Sequence, residues 1–490
     1  MALFLAGCGG SGDPTDDPAK TTAAGNETNA PSADDPYAGQ FRVGHGRVNI
    51  TPKDSMPLAG YGNTERRMST GFLDYIYATC FAITDENNDT LLVFAVDIIN
   101  ANTKATEDVK AHVSAATGVP ADHIILNATH THSSIDQLQT GMKVVLDWLE
   151  DYKNYCVEAA RAALADRLPA KMFWTTADLT GYNFVRHYFT QFDEAVGSNH
   201  GSWAVGTINR HDHPANPTMF ILKFEREGAK DIMLANWRAH NTRTGDGSSR
   251  TENQKTNISS DWTGQIRANI EKYYDTYFAY FQGDSGNVNS QTSLPESIEK
   301  HAPANYKDYG REIAEIMEQA IDAGMEEIQT GPIQIVGETF TAKTNKSELE
   351  HTAEANAVRS IWLSTSDYNQ CLEADPTHYI QSPYHANSII ARASYPETGS
   401  FYIVAGRIGD FAFTQAPFET FDTNGDYVRE NSPSKYTMVM GYSNESHGYL
   451  PSAQAYDFGC YESDTAWLAR GTGEDLAARF VAILNELYKK

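Results

Sequence analysis

From Gln40 to the last residue, short apolar runs of strand length alternate with stretches of helical periodicity, and no second linker interrupts them. Interleaving of that kind commits a chain to an α/β fold, because each strand and helix must bury its apolar face against the other. Residues 81–84 and 90–96 are apolar runs separated by Asp85-Glu86-Asn87-Asn88-Asp89, which predicts a hairpin. Residues 106–117 carry helical periodicity and stop at Gly118, with Pro120 beyond. Residues 123–128 read as a short buried strand and 142–168 as a long helix. Strands are expected at 219–224, 232–237 and 279–282, with helices over 263–274 and 306–327. Late strands at 401–405, 411–414 and 436–440 precede a closing helix over 474–488. The expected architecture is a single large mixed α/β domain over residues 40–490, with β-sheets flanked by helices.

The start of the chain differs. Residues 1–8 read Met-Ala-Leu-Phe-Leu-Ala-Gly-Cys, and the small residues before Cys8 suit cleavage there and acylation of the thiol. The run resembles a bacterial lipoprotein signal, whose basic n-region these residues do not include. Residues 9–39 are mostly Gly, Ser, Thr, Pro, Asp and Asn, too polar to order themselves, and read as a tether. The expectation is an exported protein of the bacterial cell envelope, attached to the membrane by a lipid on Cys8. It is not expected to span the bilayer, because no apolar run approaches the ~20 residues required. The formal charge of −26 argues against nucleic acid, whose recognition rests on Lys and Arg clusters. Cys80, Cys156, Cys371 and Cys460 remain, and either disulfides or isolated buried thiols fit their long spacings.

Chemistry concentrates at strand ends, where α/β folds place reactive groups. Ala128-Thr129-His130-Thr131-His132-Ser133 follows the strand over 123–128, and two histidines at i and i+2 can divide metal binding and substrate contact. His240 follows the strand over 232–237, and Glu419 in Ala416-Pro417-Phe418-Glu419-Thr420 follows the strand over 411–414. Two histidines and a carboxylate with an open position are the pattern of a catalytic zinc site.

Several motifs then occur in one order along the chain. They are Gly46-Arg47-Val48-Asn49-Ile50-Thr51-Pro52, Pro57-Leu58-Ala59-Gly60-Tyr61-Gly62 and Gly71-Phe72-Leu73-Asp74. Next come Asn127-Ala128-Thr129-His130-Thr131-His132-Ser133 and Ile258-Ser259-Ser260-Asp261-Trp262-Thr263-Gly264. Gly441-Tyr442-Ser443-Asn444, Gly448-Tyr449-Leu450-Pro451, Tyr456 and Tyr461-Glu462 close the series. In these motifs the chain resembles the neutral ceramidases, zinc-dependent amidases that cleave the N-acyl bond of ceramide. The resemblance implies Zn²⁺ held by His130, His240, Glu419 and Tyr449. It implies His132 close to the metal and the scissile amide, Arg186 near the substrate, and Tyr461 stabilising the oxyanion. The chemistry suits those types: zinc polarises a carbonyl and activates a water, donors receive the oxyanion, and His132 carries a proton to the leaving amine.

Two departures bear on the substrate. The family's Gly-Asp-Val-Ser-Pro-Asn motif stands here as Gly286-Asn287-Val288-Asn289-Ser290-Gln291, so Asn289 occupies the position of a serine once assigned as nucleophile. With an activated water as nucleophile, Asn289 is expected to position the substrate through its amide. The family also carries a C-terminal β-sandwich of ~150 residues, whereas here the expected closing helix ends the catalytic domain. The leading expectation is hydrolysis of an N-acyl amide of ceramide or a related lipid by a zinc-activated water. The alternatives are a zinc hydrolase of a smaller amide or ester, and a non-catalytic binding lipoprotein that kept the fold.

Other features read as structural. Asp422-Thr423-Asn424-Gly425-Asp426 reads as a turn, His211 and His213 as a solvated loop, and His45 as a structural histidine. Residues 242–251 read either as a mobile lip or as a bland insertion.

Overall fold

The computed structural model describes residues 36–61, 67–197, 206–244 and 255–489. Cys8, most of the tether and much of the 242–251 segment lie outside those residues. The larger of two main sheets has nine strands: β1 (Arg42–Asn49), β2 (Tyr77–Thr84), β3 (Thr90–Val96), β4 (Ile124–Ala128), β5 (Leu168–Asp178), β6 (Thr218–Arg226), β7 (Ile232–Trp237), β8 (Tyr277–Gln282) and β9 (Glu326–Ile328). Their order is β8-β7-β6-β5-β1-β2-β3-β4, with β9 paired to β5. Pairing is antiparallel except at the two ends, where β7–β8 and β3–β4 run parallel. A parallel neighbour needs a crossover. α1 (Thr103–Thr117) supplies it before β4, and α3 (Asp261–Tyr274) supplies it before β8, following α2 (Lys143–Ala165) in the chain.

The hairpin β2–β3 forms where the sequence places it, because Asp85 Oδ1 accepts the backbone N–H groups of both Asn87 and Asp89 at 2.9 Å. α1 starts on Asn102, whose Oδ1 accepts Ala105 N, and ends on Gly118 at φ 77°. α2 packs directly on β1. A Cβ at Gly44 or Gly46 would stand 2.1 Å from the carbonyl oxygens of Ala163 or Ala159, so only glycine admits the helix this close.

The second sheet comprises β10 (Ile333–Lys343), β11 (Thr398–Ile408), β12 (Phe411–Gln415) and β13 (Thr437–Met440). Between the two sheets lies an apolar layer that includes Phe81, Phe224, Phe281, Phe413 and Met440. α1 and α2 cover one part of the larger sheet's outer face, and α3 with α4 (Tyr306–Asp322) covers another. Four layers result, helix on sheet on sheet on helix, with the closing helix over Thr472–Leu487 packed on the second sheet. A mixed α/β fold with sheets flanked by helices is thus what the chain adopts.

Two expected helices end early. The helix over 142–168 stops at Ala165, and the chain re-enters the sheet as β5, pairing Leu168 and Pro169 with β1. The helix over 306–327 stops at Asp322; Gly324 turns at φ 118° and Glu326–Ile328 joins β5 as an edge strand. The segment 422–426 is not a turn but the first residues of a helix, Asp422–Asn431. Three helices over Thr352–Thr365, Tyr368–Glu373 and Pro383–Arg392 form a small apolar cluster of their own around Val358, Cys371 and Ile389. All four cysteines described are free and buried, Cys80 and Cys156 in one core cluster. Among the described residues no helix is long and apolar enough to cross a membrane.

Candidate active site

The ends of β4, β7, β8 and β12 converge at one point. Asn127 on β4 draws the two edges of the larger sheet together: its Oδ1 accepts Gln282 N at 2.8 Å, and its Nδ2 donates to Gln282 O and Gly441 O. Three residues on, His130 leaves the strand at φ 61°, left-handed for a residue with a Cβ. Thr131 is anchored by its Oγ1 donating to Ser259 O at 2.7 Å, so the histidines on either side of it reach the same cluster. The His240 segment is stitched alongside, with His132 N donating to Asn241 O and His240 N to Val288 O.

The imidazoles are oriented by their Nδ1 atoms. His130 Nδ1 lies 2.7 Å from Ile99 O, His132 Nδ1 3.2 Å from Gly60 O, and His240 Nδ1 3.1 Å from Val288 O. A carbonyl only accepts, so each Nδ1 carries the hydrogen and each Nε2 presents a lone pair. The ligand-type nitrogens of all three lie within 4.8 Å of one another. His130 and His132 meet Nε2 to Nε2 at 3.1 Å, and His240 Nε2 is buried with no hydrogen-bond partner. Glu419 Oε2 stands 3.5 Å from both His130 Nε2 and His240 Nε2. Burial, with Glu419 opposing it, lowers the His130 pKa to about 4, and burial with Arg186 lowers that of His240 to about 3. Burial raises that of Glu419, against the pull of His130 and Arg186.

Three neutral imidazoles and a carboxylate aimed at one point, with one nitrogen orphaned, fit a divalent cation better than any hydrogen bond between them. Nitrogen and oxygen donors of this kind suit zinc. His132 sits inside the cluster rather than beside it.

The remaining residues form the wall. Glu419 and Tyr449 are paired in register across two short parallel strands. Arg186 Nη2 donates to the Tyr449 hydroxyl at 3.1 Å, and its Nη1 to Asn289 Oδ1 at 3.3 Å. Tyr461 stands edge-on to Tyr449, ring centroids 5.6 Å apart. The residues singled out in the sequence therefore form one contiguous network.

A family model for the N-terminal part of neutral/alkaline non-lysosomal ceramidases matches residues 41–292. The chain belongs to that family. Among solved structures it is similar to one described as "Ceramidase complexed with C2", with a TM-score of 0.69 at 16% identity, over 92% of this chain and 75% of that one. It is also similar to the neutral ceramidase from Pseudomonas aeruginosa, with a TM-score of 0.67 at 17% identity, over 91% of this chain and 75% of that one. No curated protein matches. Family and fold together make this ceramidase-family chain a ceramidase-like hydrolase.

Sequence reasoning gave no role to several residues that shape the site. Tyr442, at φ 50°, lies 4.2 Å from the His130 ring and points its hydroxyl at Glu419 Oε2, 3.5 Å away, while sharing a hydrogen bond with Ser285. Glu462 is fully buried and holds both Arg186 and His187. Both lie inside the quoted motifs, the only local signal of their importance. His211 and His213 do not form a solvated loop: His211 bridges Val185 O and Glu299, and His213 bridges Asp212 and Asp422. Glu299 and Asp422, carboxylates distant in sequence, captured them.

Proposed function

We propose that this protein hydrolyses an N-acyl amide, ceramide or a related N-acyl lipid, with a zinc ion held by His130, His240, Glu419 and Tyr449. The observation that carries the reading is the convergence of imidazole lone pairs and one carboxylate on a single point, within this family's fold. Zinc bound there supplies Lewis acidity toward the amide carbonyl and a nucleophilic water at neutral pH.

The chain's own groups do the rest. His132 Nε2, unprotonated and inside the cluster, accepts the proton of the attacking water and returns it to the leaving amine nitrogen. Tyr461 donates its phenolic hydrogen to the oxygen that gains charge as the carbonyl becomes tetrahedral. Arg186, held by Glu462 and Gly286 O, keeps Tyr449 and Asn289 in place. Asn289 stands where the family motif has serine and forms no acyl-enzyme. Its Oδ1 is taken by Arg186, which leaves its Nδ2 as the donor available to substrate.

Purified protein assayed for zinc content and for hydrolysis of N-acylsphingosine and short N-acyl amides tests this reading. About one zinc per chain, lost together with turnover in His130→Ala, supports it. Turnover confined to short acyl amides or esters would move the substrate away from lipids. Zinc without turnover on any of them would leave a binding role.

The same reading includes a lipid anchor on Cys8 at the cell envelope, supported by Leu5-Ala6-Gly7-Cys8 and the polar residues after it. Cys8→Ser should release the protein from the membrane fraction and abolish labelling by a fatty-acid probe; retention of both would refute the anchor.

A further inference from the structure

Glu462 lies in the helix Tyr461–Thr465 with no solvent exposure. A carboxylate at that depth persists only when its oxygens are saturated. Its Oε1 accepts Arg186 Nε at 2.6 Å, and its Oε2 faces His187 Nε2 at 2.9 Å. The His187 ring is itself packed on Phe421 and Phe458. Glu462 is thereby pinned at both oxygens.

The guanidinium has five N–H donors. Nε and Nη2 both lie against Glu462 Oε1, at 2.6 and 2.5 Å, Nη2 also reaches Gly286 O and the Tyr449 hydroxyl, and Nη1 reaches Asn289 Oδ1. Arg186 is thus directed at protein groups and leaves a single donor for anything else. Tyr449 is the register partner of Glu419 on the neighbouring parallel strand, and Glu419 Oε2 faces His130 and His240. Donors and acceptors alternate from Glu462 through Arg186 to Tyr449 and Asn289. A guanidinium only donates, so it also fixes which way the Asn289 amide is turned.

We propose that Glu462 is a positioning residue: by holding Arg186 it fixes the Tyr449 hydroxyl and turns the Asn289 NH₂ group toward the substrate. This rests on the reading that Tyr449 and Glu419 are metal ligands. Outer partners of ligands commonly alter metal affinity 10–100-fold.

The test measures zinc affinity by chelator competition, with kcat and KM on an N-acyl amide, for the full chain. The variants are Glu462→Gln, Arg186→Met and the double variant. Glu462→Gln should weaken zinc binding about tenfold or more, Arg186→Met similarly, and the double variant no more than Arg186→Met alone. Affinity in Glu462→Gln within about twofold of the parent, or two losses that add in the double variant, overturns the proposal. If Glu462→Gln does not fold, Glu462→Asp, which keeps the charge and shortens the reach, replaces it in the same cycle. Fluorotyrosine at position 449, read by fluorine NMR, reports the ring's environment with or without metal. Its resonance should move or split in Glu462→Gln, and an unchanged resonance overturns the proposal. A parent that binds no zinc removes the metal reading alone, and the fluorine signal then decides the role of Glu462.

Discussion

His130 and His132 face each other Nε2 to Nε2 at 3.1 Å, while the Nδ1 of each is committed to a backbone carbonyl. Two neutral imidazoles in this arrangement bring lone pair against lone pair. Only a proton or a cation between or beside them relieves the repulsion, and burial disfavours the proton. Removing metal with a chelator should therefore lower the thermal midpoint, and added zinc should restore it. At zinc 100-fold above its Kd the recovery amounts to about 2.7 kcal/mol. Scanning fluorimetry with and without zinc checks this, and His240→Ala should not respond. A parent midpoint indifferent to zinc would refute the cation site.

Gly60 gives a second test. It sits at φ 102°, its carbonyl faces His132 Nδ1, and a Cβ there would come within 2.3 Å of that nitrogen. Gly60→Ala must displace the His132 side chain, whose atoms are the nearest three to the added Cβ, without altering the side chain of any proposed metal ligand. We expect kcat to fall about 100-fold, the scale of a 1 Å misplacement, with zinc content retained. Parent-like turnover in Gly60→Ala would show that His132 moves no proton in the rate-limiting step.

Asn289 separates donor chemistry from packing. Asn289→Asp keeps the oxygen that Arg186 Nη1 contacts and replaces the free NH₂ with a second oxygen. If the residue were only structural, the aspartate would be tolerated, since its pairing with Arg186 is strengthened. If it donates to the substrate, kcat/KM falls about 100-fold, the usual scale for one lost donor, while the unfolding midpoint holds. Steady-state kinetics beside thermal unfolding decides between them.

His213 yields the pH dependence. Burial lowers its pKa, but hydrogen bonds to Asp212 and Asp422 outweigh that and raise it to about 10 from an ordinary 6.5. The folded state then holds a proton that the unfolded chain releases, so this stabilisation is complete below pH 6.5 and is lost as pH rises through about 10. His213→Gln should cost about 2 kcal/mol at pH 6 and much less above pH 10, by denaturant unfolding at both. An equal cost at the two pH values would mean that the pair contributes no charge-dependent stability.

The hairpin 81–96, the buried strand before the histidines and the helix closed by Gly118 were all legible, because apolar periodicity and turn chemistry act over a few residues. His130, His132, His240 and Glu419 were legible as polar groups placed just beyond apolar strands. Tyr449, Arg186, Asn289 and Tyr461 carried no such mark and came only through the resemblance to a family. β1 and β10 were missed: glycines that admit α2 interrupt β1, and β10 has a largely exposed face. Both give weak local patterns.

By itself the sequence determined which residues end strands, and therefore which side chains were available to a site. Only the tertiary structure decided their partners. The Nδ1 contacts that turn three imidazoles to one point come from Ile99, Gly60 and Val288. Glu462, which orders the wall, meets Arg186 across 276 residues. Hydrophobic periodicity is a local property, whereas a buried charge finds its partner only where packing brings two distant segments together.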